Sequence, residues 1–167
     1  MISSRVVLSS FVVSMVVAFP ATAAKPAPAK PAGSSLTQPT ADFYALSTAL
    51  ASTLNSLNKR VEKASPGDRE VLNKVISQVS IVDATADGVL ALGTVASEIR
   101  DNGSQAIAKK ALATRCTALK SIAGGSAPYV GGLSNSIALP ASIADANKAK
   151  DLLTQMSQSS LCAAVGK

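Results

Sequence analysis

The two cysteines, Cys116 and Cys162, are the residues of this sequence that are best suited to covalent chemistry. They could form a structural disulfide, or they could stay free as a reactive thiol or a redox pair. Their wide separation differs from the Cys-x-x-Cys spacing of redox pairs, and Cys116 lies in an apolar setting, so the sequence favours the disulfide. The chain-entropy model gives such a bridge about 4 kcal/mol, a large share of the usual stability of a domain.

Histidine is absent from the whole sequence, and this restricts the possible catalytic machinery. It excludes Ser-His-Asp and Cys-His nucleophile systems and imidazole metal sites. Two cysteines alone cannot complete a usual four-ligand zinc site. The pairs Gly124-Gly125 and Gly131-Gly132 lack the strand, lysine and helix start of a phosphate-binding loop. The sequence therefore predicts a protein that is not an enzyme, with no catalytic residue, no cofactor and no metal site.

Asp83 and Asp87 stand one helical turn apart within the longest apolar segment. Two carboxylates at this spacing can share a cation or a proton. The alternative is a solvated helix face near a glycine, on which the two like charges mildly repel each other. We favour the solvated face, because both residues lie near the polar margin of the predicted helix.

Residues 1–23 have the three parts of a secretory signal. Arg5 gives a short basic head, residues 6–19 form an apolar run, and residues 21–23 are small residues typical of a cleavage site. The apolar run is shorter than the about 20 residues that a membrane span needs. It therefore indicates a removed signal and a mature chain that starts at Ala24, without a transmembrane helix.

Residues 24–39 are rich in proline and alanine and predict a flexible linker without a packed core. Lys25 and Lys30 could contact an anionic partner such as a cell wall or lipid head groups. The alternative is a solvated spacer, which the composition favours. The formal net charge of the chain is +6, but its basic residues are scattered, so we expect no nucleic-acid partner.

A first helix is predicted over residues 40–61, with Thr40 as its cap. Its apolar residues recur at steps of three and four and form one narrow stripe: Phe43, Leu46, Leu50, Leu54, Leu57 and Val61. Such a stripe is typical of a helix that packs against a core on one side only.

A second, longer helix is predicted over residues 65–101. It begins with a capping box in which Ser65 caps the helix and Asp68 reaches back, and it ends at Asn102-Gly103. The apolar face rotates after the midpoint, where Leu92, Val95, Ala96 and Ile99 follow. The rotation predicts two packing partners, and the glycines at 88 and 93 indicate a bend or a short break. Of these two, we favour one long helix that is kinked near the glycines.

A third helix is predicted over residues 104–123, ended by the glycine pair that follows it. Residues 126–139 contain Pro128 and predict a long loop. Tyr129 in this loop is a candidate partner contact, since long loops often carry binding residues. The alternative is that its ring covers the end of the bundle.

A last helix is predicted to open at Pro140 or at a capping box from Ser142. Serine and glutamine at residues 157–160 predict that it frays or turns there. Residues 40–167 thus predict one all-α domain, an antiparallel four-helix bundle.

The function that these features favour is binding or structural association without catalysis, in the periplasm, the cell envelope or the extracellular space. The expected partner is an unidentified protein or envelope component. The alternative is a carrier of an apolar small molecule or lipid held between the helices, because small residues in the core would let the helices separate.

Overall fold

The computed structural model of the chain describes residues 35–166, which form an antiparallel four-helix bundle with a short fifth helix. The predicted fold class is confirmed. The predicted signal and most of the predicted linker, including Lys25 and Lys30, lie outside the described residues. The helices are α1 (Thr37–Val61), α2 (Pro66–Glu98), α3 (Asn102–Ser134), α4 (Pro140–Ser157) and α5 (Ser160–Val165).

The four long helices follow one another around the bundle. α2 packs against α1 and α3, while α4 packs against α3 and α1 and so closes the ring. On α4, the Asp145 carboxylate accepts hydrogen bonds from Ser56 Oγ at 2.7 Å and from Arg60 Nε at 3.0 Å, both on α1. The connections between successive long helices are short, as an up-and-down bundle requires.

The core consists almost entirely of aliphatic side chains. The stripe predicted for α1 is buried, with Phe43, Leu50 and Leu57 fully buried and Leu46, Leu54 and Val61 packed partly against the core. Helices α2, α3 and α4 contribute fully buried leucines and valines, of which each stabilises the fold by about 1.5–3 kcal/mol. Phe43 is the one aromatic side chain buried among residues 35–166.

Helix α1 begins at Thr37, three residues before the predicted start. The prediction that Thr40 caps the helix was wrong, because Thr40 is buried inside the first turns and its N–H donates to Leu36 O at 2.9 Å. Leu36 is itself 1% exposed and belongs to the core. Burial of this leucine moves the helix start towards the proline-rich segment.

Helix α2 begins at the predicted Ser65 cap, but the Asp68 carboxylate accepts the N–H of Ala138 and does not reach back to Ser65 as the capping box predicted. Ser65 Oγ accepts the N–H of Asp68 at 3.2 Å, and Pro66 occupies the first helical position. The helix also ends differently. The predicted end at Asn102-Gly103 was wrong: α2 ends at Glu98, and these two residues open α3. The Asp101 carboxylate accepts the Ser104 N–H at 2.7 Å, so an N-cap forms where a C-terminal glycine stop was predicted.

Helix α2 continues without a break through Gly88 and Gly93. Gly93 is buried, and a Cβ atom at this position would lie 3.0 Å from Leu161 Cδ2 and 3.3 Å from Thr40 Oγ1. The glycine at 93 therefore allows α1 and α5 to approach α2 closely, and it does not mark a break. Of the residues predicted on the rotated face, Ala96 is buried, Leu92 and Ile99 are half-buried, and Val95 is exposed.

Helix α3 is eleven residues longer than predicted at its C-terminal end. The glycine pair at 124–125 does not end it, and the predicted loop over 126–139 shrinks to residues 135–139. Pro128 lies inside the helix, where it removes one backbone hydrogen bond. Ala127, Val130 and Ser134 continue the buried stripe of α3, and their packing outweighs the local preferences of glycine and proline.

The last helix opens at Pro140, the first of the two predicted starts, and ends at Ser157. The predicted turn over residues 157–160 is present. Ser159 Oγ accepts the Cys162 N–H at 3.4 Å and so caps the six-residue helix α5. Leu161 of α5 is fully buried, which explains why such a short helix packs against α1 and α3.

Candidate functional site

Cys116 and Cys162 lie at disulfide distance, with their sulfur atoms 2.10 Å apart and their Cα atoms 5.2 Å apart. Cys116 is buried on α3, and Cys162 is half-buried on α5. The pair therefore attaches the last helix to the middle of the bundle. No free cysteine is present among the described residues, so neither sulfur is available there as a thiol nucleophile.

Two clefts open along the side of the bundle, one between α3, α4 and α5 and the other between α3 and α4. One, of about 300 Å³, extends over the disulfide and is bordered by Lys120 and Val165. The other, of about 390 Å³, extends over Pro128 and is bordered by Lys150. Both are open to solvent and share Ser157 and Gln158. They are therefore surface grooves, and they do not run between separated helices of the core.

The predicted carboxylate pair lies on α2, with Asp87 exposed and Asp83 half-buried. Asp83 Oδ1 is shielded from solvent without a hydrogen-bond partner. Burial raises the pKa of Asp83, and the nearby charge of Asp87 raises it further. Among residues 35–166, no group of three or more potential ligands is arranged to hold a metal ion. The expectation of a solvated face is therefore correct for Asp87. It is only partly correct for Asp83, whose side chain is half-buried.

Tyr129 lies on α3 and not in a loop, so the predicted structural context of this residue was wrong. Its side chain is 49% exposed. The pKa of Lys74 on α2 is raised mainly by its 2.7 Å hydrogen bond to Glu70, and Tyr129 adds a smaller effect of the same sign. Tyr129 therefore lies beside α2, at the edge that α2 and α3 share.

The outward surface of α2, which we call the outer α2 face, lacks charged side chains over most of its length. We define it by Ile81, Ala84, Gly88, Ala91 and Val95, which recur at helical spacing. Gly88 is half-buried, and the other four residues are exposed. Ile81 is 47% exposed and Val95 is 48% exposed. Between Lys74 and Glu98, the charged residues of α2 are Asp83, which is half-buried, and Asp87, which is exposed at the edge of this face, three residues from Ala84 and four from Ala91.

The same surface continues onto α3. Exposed uncharged residues recur there at steps of three, four and seven, from the 74% exposed Ile107 to Tyr129: Ile107, Ala111, Thr114, Ala118, Gly125 and Tyr129. This stripe lies on the exposed side of α3, and the exposed Arg115 lies between it and α2. Isolated exposed hydrophobic residues are ordinary, but a continuous patch of this kind marks an interaction site more often.

Helix α2 also has the length and composition of a membrane-crossing helix, and 33% of its most apolar 18-residue segment is buried. A helix in the core of a packed bundle satisfies the same two criteria. The buried side of α2 holds Leu72, Val79 and Val89 against its neighbours in the bundle. The expectation that the mature chain has no transmembrane helix stays a prediction.

The sequence analysis missed the outer α2 face. It assigned Val95 to a buried face and did not consider Ile81. The sequence does contain a pattern that indicates this face: α2 is apolar on more than one side. A helix that packs on one side only needs apolar residues on that side alone.

Comparison with known proteins adds no functional information, because no protein-family model, no curated protein and no solved structure matches the chain.

Proposed function

We propose that the chain is an exported, non-enzymatic protein that acts by binding or structural association through the outer α2 face. The observation that supports this proposal is the exposure of Ile81 and Val95 on α2 and of Ile107 on the adjacent α3, with the exposed charges of Asp87 and Arg115 at the margins of the α2 face. Exposing such side chains to water is unfavourable. Covering Ile81 or Val95 with a partner would gain about half of the ~1.5–3 kcal/mol of full burial, because each is already about half covered. Burial of this face against a partner would therefore contribute favourably to the free energy of binding.

Export is the second part of the proposal. It rests on the predicted signal over residues 1–23 and on the sulfur pair of Cys116 and Cys162, since disulfides form and persist mainly in oxidising compartments. N-terminal sequencing of the protein purified from its own host tests it. We expect the mature chain to start at Ala24, and an intact Met1 in the cytoplasmic fraction would refute export.

Site-specific crosslinking tests the binding face. A photoreactive amino acid at position 95 should give a crosslinked species in living cells, because Val95 lies on the proposed contact surface. Position 44 provides a matched control, since Tyr44 is 60% exposed but lies on α1. Equal crosslinking from both positions, or none from position 95, would refute the role of the face.

Carriage of an apolar small molecule or lipid is the alternative function. The clefts bordered by Lys120 and Lys150 are two places among the described residues at which such a ligand could bind. Native mass spectrometry of the protein purified from its host tests this alternative. A co-purified lipid would support a carrier, and lipid-free protein that still crosslinks through position 95 would support association.

A further inference from the structure

Gly88 is the centre of the outer α2 face, seven residues from Ile81 and seven from Val95. A Cβ atom at this position would have no other atom within 4 Å, so packing within the chain does not require a glycine there. An internal helical glycine costs about 1 kcal/mol relative to alanine. A glycine at this position would instead allow another helix to approach closely from outside.

Two opposite charges lie on either side of Gly88. Ser126 Oγ on α3 donates to Gln78 Oε1 on α2 at 3.1 Å, and Gln105 Nε2 on α3 donates to Ala96 O on α2 at 3.4 Å. Because α2 and α3 are antiparallel, these two bonds place Gly88 level with Arg115. Arg115 lies on about the same side of α3 as Ser126, because a step of eleven residues makes about three full turns of the helix. Arg115 therefore lies along the α3 edge of the outer α2 face.

Asp87 lies along the opposite edge. It is nine residues from Gln78, which corresponds to half a turn around α2 and places it on the side away from α3. Both Asp87 and Arg115 are exposed. Neither forms an ion pair within residues 35–166, so each is available to an outside partner.

We propose that a second copy of this chain covers the outer α2 face, with Gly88 at a two-fold axis parallel to α2 and with Arg115 against the partner's Asp87. This proposal rests on the proposed function and names its partner. A two-fold axis parallel to α2 exchanges the two edges of the face, so the same opposite-charge pair forms twice. The axis also brings Ile81 and Val95 against the same residues of the partner, as an isologous interface requires.

A lipid surface fits this face less well. Ala84, Gly88 and Ala91 permit close approach of a helix but provide little side chain to insert among acyl chains. The exposed carboxylate of Asp87 along one edge would be repelled by anionic head groups, and this repulsion offsets the attraction of Arg115 at the other edge. The outer α2 face of a second copy is a better match, because it has the same small residues and places an opposite charge against each edge.

A charge exchange at the two edges tests the proposal by sedimentation velocity on the purified native protein. We expect a concentration-dependent dimer for the wild type. Arg115→Asp and Asp87→Arg should each raise the dimer Kd by about tenfold or more, because each places two pairs of like charges in contact. The double variant should restore the wild-type Kd to within about threefold, since it forms both ion pairs in the reverse sense.

A cysteine at the axis gives a second test that does not depend on charge. Gly88→Cys should form a covalent dimer under mild oxidation, whereas Gly67→Cys, an equally unobstructed position at the start of α2, should not. A wild type that is monomeric at all concentrations, or single charge variants that dimerise normally, would overturn the proposal. Failure of the double variant to recover would overturn the stated orientation and with it the proposal.

The remaining outcomes separate this inference from the proposed function. A monomer that still crosslinks to a different protein through position 95 would overturn the proposal that the partner is a second copy of the chain. It would still support the outer α2 face as a binding site. A monomer that floats with vesicles of phosphatidylcholine and phosphatidylglycerol would overturn it in favour of a lipid surface.

Discussion

The carboxylate of Asp68, at the start of α2, accepts a hydrogen bond at 2.9 Å from the backbone N–H of Ala138, in the connection between α3 and α4. The two residues are 70 positions apart in the sequence. Asp68 is 6% exposed, and its own N–H donates to Ser65. A residue that the sequence assigns to a local cap therefore also fixes a distant connection.

Asp68→Ala should lower the free energy of unfolding by about 2 kcal/mol, because it leaves the Ala138 N–H without its charged acceptor. Urea denaturation followed by circular dichroism measures the loss. Asp68→Asn is the matched control, since its amide oxygen can still accept the bond, and it should lose less than half as much. Equal losses in the two variants would show that the bond to Ala138 contributes little.

The two glycines within α2 should respond to alanine in opposite directions. Gly88→Ala should raise the free energy of unfolding by about 1 kcal/mol, because the new methyl group has open space and alanine favours the helix. Gly93→Ala should lower it by about 1 kcal/mol, because overpacking against Leu161 and Thr40 exceeds the gain in helix propensity. Denaturation at high dilution keeps self-association out of both measurements. A stabilising Gly93→Ala would contradict the close approach of α1 and α5.

Reduction of the bridge between Cys116 and Cys162 should lower the free energy of unfolding by up to about 4 kcal/mol, through the freedom that the unfolded chain regains. Thermal unfolding with and without a reductant measures the difference. A variant with both cysteines replaced by alanine should be as unstable as the reduced protein and insensitive to reductant. If the melting temperature is the same with and without reductant, the bridge does not contribute to stability.

Asp83 should make stability depend on pH in the opposite sense to most carboxylates. The pKa of Asp83 in the folded protein is raised above the ordinary value of 3.8. At pH values above this raised pKa, the ionised carboxylate therefore lowers the free energy of unfolding. This loss of stability disappears as the pH falls below 3.8. Asp83→Asn should therefore raise the melting temperature at pH 7, and the gain should vanish by about pH 3. Thermal unfolding at both values tests this.

The control for this pH dependence is Asp151→Asn, at an exposed position whose only ion pair among residues 35–166 is with the adjacent Lys150. This substitution should change the melting temperature little at either pH. An effect of Asp83→Asn that is equal at pH 7 and pH 3 would show that the charge of Asp83 is not the cause.

Patterns that are repeated along the sequence predicted the bundle correctly. The stripe from Phe43 to Val61, the Ser65 cap and the turn after Ser157 could all be identified because each depends on residues within a few positions of one another. The cysteine pair was predicted from the presence of only two cysteines in the sequence and from the predicted export of the chain.

Features that depend on tertiary contacts were not predicted. Pro128 remains helical because Ala127 and Val130 are buried against the bundle, and the sequence alone does not show that burial. Gly93 was interpreted as a bend or short break in α2, but in the structure it lies where Thr40 of α1 and Leu161 of α5 approach α2 closely. The outer α2 face was missed because an apolar residue at helical spacing has the same pattern whether a neighbour covers it or not.

The bridge to Cys162 encloses the connection at residues 135–139 and the whole of α4 within one covalent loop. A protease that cuts this connection once would therefore release no fragment, since the two pieces would stay linked through sulfur. In an environment rich in extracellular proteases, a nicked molecule would keep all its helices together, and its lifetime would depend on a reductant as much as on the cut.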